Sequence, residues 1–137
     1  MKTIGLERFV KAQENDYNNA LSEVINGHKQ THWMWYIFPQ IQGLGYSETA
    51  KYYAIRDLEE AREYLNHPVL GERLLRMTAE LLKLESSAAQ IFGSPDDLKL
   101  HSSMTLFAAV KDSSPLFGQA LDKFFNGRKD KKTLGKI

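Results

Sequence analysis

The chain has 137 residues, no cysteine and a nearly balanced charge, with 18 lysines and arginines against 17 aspartates and glutamates. A general nucleic-acid binder would normally be clearly basic, so the charge balance argues against that class. The lack of cysteine excludes disulfides and thiolate metal sites. The length suits one domain that buries a proper hydrophobic core.

The sequence predicts neither a signal peptide nor a membrane span. Residues 1–8 lack the apolar core of a signal peptide. The longest apolar run, residues 33–39, is far too short to cross a bilayer. We therefore expect a cytoplasmic protein without membrane contact, formed by a single domain over residues 1–137 that ends in a basic tail, residues 128–137.

The N-terminal third is predicted to be helical as far as an aromatic run. Apolar spacing predicts a short helix that ends near Glu14 and a second helix that Asp16 caps and Gly27 ends. Residues 33–38 contain both tryptophans and are almost all apolar, so periodicity leaves a buried helix and a buried strand equally open. Pro39 ends this run.

Caps and breaks divide the rest of the chain into short helices. Small polar residues that precede helical segments predict N-caps at Ser47, Asp57, Ser87, Ser94 and Ser114. Asp57 and Glu60 also have the spacing of a capping box, in which each side chain bonds to the backbone of the other. We expect a mainly α, single compact domain of about seven or eight short helices around an aromatic core.

The polar residues around the aromatic run suggest a ligand pocket. Lys29 and His32 precede the run and Gln40 follows it. Large aromatic side chains with a few polar groups beside them build many ligand pockets, and here Trp33, Trp35 and Phe38 would form the wall. Each polar residue taken alone could also be solvated or bonded locally.

A second stretch, residues 99–107, places hydroxyl groups in an otherwise apolar segment. These hydroxyls belong to Ser102, Ser103 and Thr105. If buried they need partners, and they could bond back to carbonyls one helical turn earlier. Alternatively they could hold a phosphate or carboxylate together with three cations, Lys29, Arg73 and Lys99.

The sequence gives little support for a metal site or for a nucleophilic active site of a known type. His28 and His32 have the i, i+4 spacing of a metal pair, but Lys29 stands where a zinc-protease motif needs its glutamate. The sequence has no nucleophile elbow of the Gly-x-Ser-x-Gly type and no glycine-rich phosphate loop. We predict no metal and no cofactor, and leave open whether the protein is an enzyme.

Several longer strings resemble the domain of unknown function 1810 family. They are residues 9–13, 29–40, 43–47, 67–74, 91–99 and 102–107. The resemblance runs from about residue 6 to 134, with one small departure at Tyr36, where phenylalanine would be more usual. Family members are short, mainly helical, chiefly bacterial proteins, and some carry the label calpastatin, which we regard as a mis-transferred name.

The resemblance implies the helical fold and supplies no reaction. Its motif strings contain nearly the same polar residues that were selected one by one above. They are Lys29, His32, Gln40, Ser47, His67, Arg73, Lys99, Ser102, Ser103 and Thr105.

Two functions remain in competition. In the first, the pocket binds a small anionic or nucleotide-like ligand, with His32 as the candidate acid–base group of a catalytic version. In the second, the protein is a non-catalytic interaction module, such as a homodimer, and the aromatic run is core or interface. The first predicts that Lys29, His32 and the hydroxyls of Ser102 and Ser103 meet beside the tryptophans. A weaker third option lets the basic tail touch acidic partners or nucleic acid.

Overall fold

The computed structural model describes residues 5–137, so the expectation about residues 1–8 falls partly on residues outside the described ones. Within residues 5–137 the chain forms nine helices and no β-strand. The helices are α1 Glu7–Ile25, α2 Met34–Ile37, α3 Glu48–Tyr52, α4 Leu58–Asn66, α5 Leu70–Leu82, α6 Ala88–Phe92, α7 Asp96–Ala108, α8 Pro115–Phe125 and α9 Lys131–Leu134. The predicted mainly α fold is confirmed.

Helix α1 is continuous over 19 residues, so the prediction of two helices with a cap at Asp16 is wrong. Phe9, Ala20 and Val24 are all fully buried, and their burial extends the core-facing side of α1 across the predicted break. Tertiary packing of this kind stabilises a helix even where the local sequence signals for a helix are weak. The carboxylate of Asp16 instead accepts a hydrogen bond from the hydroxyl of Tyr36.

The serine caps are confirmed except at one position. Ser47, Ser87 and Ser114 each accept a backbone hydrogen bond from the helix that follows. The predicted cap at Ser94 is wrong, because α7 is preceded by Pro95 and has no side-chain cap. The carbonyl of Pro95 accepts hydrogen bonds from the first turn instead.

The predicted capping box of α4 forms only in half. Asp57 accepts a hydrogen bond from the backbone N–H of Glu60, but Glu60 itself accepts from the backbone of Arg56. Glu60 also pairs with Arg8 at 3.3 Å, with both side chains buried. Arg8 further donates to the carbonyls of Tyr52 and Ala54, each at 2.8 Å. The acid that the sequence placed at a helix end therefore joins α1 to α4 in the interior.

The aromatic run forms the short helix α2 at the centre of the core. Trp33, Met34, Ile37 and Phe38 are almost completely buried, and Tyr36 nearly so. Phe38 and Trp33 contact each other and the ring of Phe92 on α6. The question that periodicity left open is thus settled in favour of a helix.

Close backbone packing joins α4 to α5. A Cβ atom at Gly71 would lie 2.0 Å from the carbonyl oxygen of Leu65, a distance that no side chain tolerates. Beyond this crossing, α5 packs on α1 and α8, and α7 packs on α8, α6 and α9. The loop after Pro39 is held by an isolated parallel bridge between Ile41 and Ile55.

The basic C-terminal segment is docked on the protein. Asp130 caps α9 by accepting from the backbone N–H of Thr133, and the side chain of Thr133 is fully buried. The lysines of α9 remain exposed. The segment therefore covers part of α7 rather than forming only a solvated helix end.

Candidate functional site

The two tryptophans lie on different sides of α2. Trp33 is the N-cap residue and is only 1% exposed, whereas Trp35 lies within the helix and is half-buried. Residues two apart on a helix point in nearly opposite directions. Trp33 therefore belongs to the core, and Trp35 is available to the surface.

Glu23 holds the loop that leads into α2. Its carboxylate accepts hydrogen bonds from the side chains of Asn19, Thr31 and Trp33 and from the backbone N–H groups of Gln30 and Thr31, at 2.7–3.0 Å. Burial alone would raise the pKa of Glu23, but these hydrogen bonds outweigh it and lower the pKa to about 2. The charged carboxylate thus fixes the segment that carries Lys29 and Trp33.

Lys29 and Lys99 share a single carboxylate. The Nζ of Lys29 lies 2.9 Å from one oxygen of Asp96, and the Nζ of Lys99 lies 3.4 Å from the other. The same Nζ atoms lie 5.0 Å and 5.1 Å from the ring centroids of Trp33 and Trp35, respectively. One negative charge between two positive ones leaves a net positive charge beside Trp35.

A cleft of about 580 Å³ opens between α7, the loop after Pro39 and the C-terminal segment. We call it the α7 cleft. Its lining includes Trp35, Gln40, Tyr46, Lys99, His101 and Ser102. A smaller cavity of about 320 Å³ adjoins it and shares Trp35, Gln40 and Tyr46. Four of the residues predicted to bind a ligand thus line one cleft: Trp35, Gln40, Lys99 and Ser102.

Hydroxyl groups of α7 hold the C-terminal segment against the cleft. The hydroxyl of Thr133 donates to the carboxylate of Asp130, so the hydroxyl of Ser102, 2.9 Å from Thr133 Oγ1, donates to Thr133. Thr105 accepts from the backbone N–H of Asp130 and donates to the carbonyl of His101 one turn earlier. The backbone-directed bond of Thr105 is the alternative that the sequence left open.

His101, which lies within the stretch 99–107, is a further residue of the α7 cleft. Its Nε2 lies 2.7 Å from the carbonyl oxygen of Arg128, and its ring stacks on Phe125 with centroids 4.2 Å apart. A carbonyl oxygen only accepts, so Nε2 carries the proton of this bond. Along the chain His101 lies between Lys99 and Ser102, which line the same cleft.

The remaining predicted residues lie elsewhere. His32 is exposed and borders a separate surface recess on the other side of Trp35. Arg73 donates to Gln13 at 3.3 Å and lies 4.7 Å from the ring of Tyr17, between α5 and α1. The chain therefore does not bring Arg73 or His32 to the α7 cleft.

Ser103 is fully buried, and its hydroxyl has no hydrogen-bond partner among the described residues. Since Ser102 bonds to Thr133 and Lys29 pairs with Asp96, the predicted meeting of Lys29, His32, Ser102 and Ser103 does not occur. Each of these side chains has its own surroundings. Of these four residues, only Ser102 lines the cleft. Lys29 is connected to the cleft residue Lys99 through their shared partner Asp96.

Residues 5–137 contain neither a metal-ligand cluster nor a membrane-spanning helix. No group of three or more histidine and carboxylate side chains there is arranged to hold a metal ion. None of the helices in this part of the chain combines the length and the apolar character needed to cross a bilayer.

The family model described as protein of unknown function (DUF1810) matches residues 3–137. The chain belongs to this family. Its fold is similar to that of the conserved hypothetical protein Rv1873 from Mycobacterium tuberculosis, a crystal structure at 1.38 Å, with 45% identity and a TM-score of 0.94. The match covers 96% of this chain and 95% of the other. No curated protein matches the chain. The predicted DUF1810 resemblance is thus confirmed.

Proposed function

We propose that this DUF1810 protein binds a small anionic ligand with a planar ring, such as a nucleoside monophosphate, in the α7 cleft. The observation that carries the proposal is the convergence of Trp35, Gln40 and Lys99 on one cleft, beside the nearly buried Ser102. Lys99 places its ammonium group 5.1 Å from the Trp35 ring. A ring with an attached anion would satisfy both side chains together.

The charges around the cleft favour a ligand of low charge. Asp96 offsets only one of the two lysines that it contacts. Asp130 and Lys132, which also line the cleft, are of opposite sign. The net positive charge is therefore about one elementary charge, which suits a carboxylate or monophosphate better than a triphosphate.

The apolar part of the cleft suits a planar ring. Trp35 is half-buried in its wall, and Tyr46 and Leu98 stand at its rim with 85% and 60% exposure. Offset aromatic stacking contributes about 0.5–1.5 kcal/mol beyond burial. The amide of Gln40 offers both a donor and an acceptor to the edge of a ring.

His101 is the acid–base candidate of the α7 cleft, in place of His32. With Nε2 donating to the carbonyl of Arg128, Nδ1 of a neutral His101 is the nitrogen that can exchange a proton. His32 lies across Trp35 from this position, and its catalytic role stays a prediction. We propose ligand binding only. A catalysed reaction would require His101 to contact the bound ligand.

Thermal unfolding in the presence of adenosine, adenosine monophosphate or inorganic phosphate tests the proposal. A ligand that binds only the folded protein raises its apparent stability. We expect the monophosphate to raise Tm more than either fragment does. Lys99→Gln should weaken its binding about 10-fold or more, because a charge-assisted hydrogen bond is lost.

Lys11→Gln is the matched control, since Lys11 is an exposed lysine of α1 outside the cleft. Trp35→Leu should remove the preference for the monophosphate over inorganic phosphate. Equal stabilisation of the wild type, Lys99→Gln and Trp35→Leu by the monophosphate would contradict the proposal.

One observation also supports the second function, an interaction module. Tyr46 and Leu98 expose large apolar side chains at the rim of the same cleft, a pattern found at protein interfaces. We propose homodimer formation through this rim as the alternative. Light scattering across a concentration series tests it: Leu98→Gln should shift a dimer to monomer, and a wild-type monomer at every concentration contradicts it.

A further inference from the structure

A second concave surface lies on the other side of Trp35. This recess, which we call the tyrosine recess, measures about 540 Å³ and is lined by Trp35, Tyr36, Tyr52 and Tyr53 together with His32, Glu48 and Thr49. Tyr36 is nearly buried, whereas Tyr52 is 47% exposed and Tyr53 is partly exposed, so the recess has accessible aromatic rings. The tyrosine recess and the α7 cleft share Trp35, and the other lining residues of the recess do not line the cleft.

The rings of the tyrosine recess face in different directions. Tyr36 and Tyr53 have ring centroids 5.1 Å apart with an angle of 55° between their planes, and Tyr52 meets Tyr53 edge to face at 4.8 Å. Rings that are tilted against each other form walls rather than a flat stack. A cation that sits among such walls can contact the faces of aromatic rings, which carry negative potential.

The charges that border the tyrosine recess are mainly negative. Glu48 from α3 lines it, and Asp16 from α1 accepts the hydrogen bond of the Tyr36 hydroxyl. His32 is the histidine on its rim. The guanidinium of Arg8 is held at the carbonyls of Tyr52 and Ala54 and at Glu60. Burial raises the pKa of both Tyr36 and Tyr53, so these phenols stay neutral at physiological pH.

We propose that the tyrosine recess binds a quaternary ammonium group. Aromatic faces attract such a cation, and its methyl groups fill an apolar surface without needing hydrogen bonds. Glu48 supplies the opposite charge. The group could belong to a small molecule such as choline or to a trimethylated lysine, which share this chemistry. The proposal does not depend on the anionic ligand of the α7 cleft.

Titration with choline, followed by two-dimensional NMR of the indole N–H groups, tests the proposal. We expect saturable shifts of the Trp35 signal and no shift of Trp33, with a Kd of about 1–10 mM for a few cation–π contacts. The uncharged isostere 3,3-dimethylbutan-1-ol has the same shape as choline without its charge. It should bind at least about 5-fold more weakly.

Two variants and two controls complete the experiment. Tyr52→Leu keeps apolar area but removes a ring, and Glu48→Gln removes the charge; each should weaken choline binding about 3- to 5-fold. Glu59→Gln and Glu63→Gln, at two exposed acids of α4, should leave it unchanged. Circular dichroism confirms that every variant is folded.

The source of the ammonium group is distinguished by a third arm. Nε-trimethyl-lysine amide is titrated in parallel with choline. Tighter binding of the lysine derivative would indicate a peptide ligand, and tighter binding of choline would indicate a small molecule. Equal binding of choline and its uncharged isostere would overturn the proposal. So would an unshifted Trp35 signal at 100 mM choline (about ten times the weakest Kd expected from these contacts).

Discussion

Trp33 and Trp35 are two residues apart and have opposite surroundings. Each has a lysine ammonium about 5 Å from its ring, and the two lysines share Asp96. Yet the indole of Trp33 is buried and donates to Glu23, whereas Trp35 borders the α7 cleft and the tyrosine recess. Both residues are tryptophans, so their different roles follow from the side of α2 on which they lie. One side packs in the core, and the other borders the candidate site.

The difference also concerns how completely polar groups are satisfied. Beside Trp33, the carboxylate of Glu23 accepts five hydrogen bonds, and Lys29 pairs with Asp96 at 2.9 Å. Beside Trp35, Lys99 is only partly neutralised, because Lys29 takes the closer contact with Asp96. The proposed binding site therefore lies where the protein leaves its charges incompletely paired.

The largest expected effect compares the two tryptophans directly. Trp33→Ala should lower the free energy of unfolding by about 3–5 kcal/mol, since it opens a cavity in the core. Trp35→Ala should cost less, about 1–2 kcal/mol, because Trp35 is only partly buried against the core. Urea denaturation of both variants measures this difference, and equal losses would show that the two positions are not distinct.

The loop beside Trp33 depends on the charge of Glu23. Glu23→Gln replaces one accepting oxygen with an N–H₂ group that faces donors, and it should lower the free energy of unfolding by about 2–4 kcal/mol. Glu14→Gln, an exposed substitution on the same helix, should change it by less than about 0.5 kcal/mol. Urea denaturation at pH 7 checks both values. A Glu23 variant as stable as the control would contradict the role of the carboxylate.

The stabilising effect of Glu23 should disappear in acid. Its pKa is about 2 in the folded protein and 4.5 when unperturbed, so the folded state binds this proton less readily. The stability that the charge contributes is fully present above pH 4.5 and is lost as the pH falls towards 2. The difference between wild type and Glu23→Gln, measured by urea denaturation at pH 7, 4.5, 3 and 2, should therefore shrink below pH 4.5. A constant difference would refute it.

The smallest expected effect separates two neighbouring serines of α7. Ser102→Ala removes a hydrogen bond to Thr133 and should cost about 1 kcal/mol. Ser103→Ala removes a buried hydroxyl that has no partner among the described residues, so stability should stay within about 0.5 kcal/mol or rise. Thermal unfolding at one pH compares the variants. A larger loss at Ser103 would reveal a partner that the described contacts omit.

Local sequence signals, such as helix caps, predicted the helices well where no distant contact was involved. Ser47, Ser87 and Ser114 cap the expected helices because capping needs only a few neighbouring residues. Local signals failed at Asp16 and Glu60, whose partners Tyr36 and Arg8 are 20 and 52 residues away. Contacts over such distances depend on the packed fold, which a local pattern does not contain.

The candidate site was predicted in part for the same reason. Residues close to the aromatic run or on α7, namely Trp35, Gln40, Lys99 and Ser102, line the α7 cleft. Arg73 was grouped with them by its charge alone, and its side chain lies against Tyr17. The contribution of Asp130 could not be read locally, because it depends on α9 docking against Ser102 and Thr105.

The placement of the protein's two tryptophans makes them a pair of built-in optical reporters. Trp33, enclosed by the core, should emit at short wavelength and respond chiefly to unfolding. Trp35, beside water and two concave surfaces, should emit at longer wavelength and respond to molecules that arrive there. Single-tryptophan variants would therefore record folding and occupancy as separate fluorescence signals from the same four-residue helix and its cap.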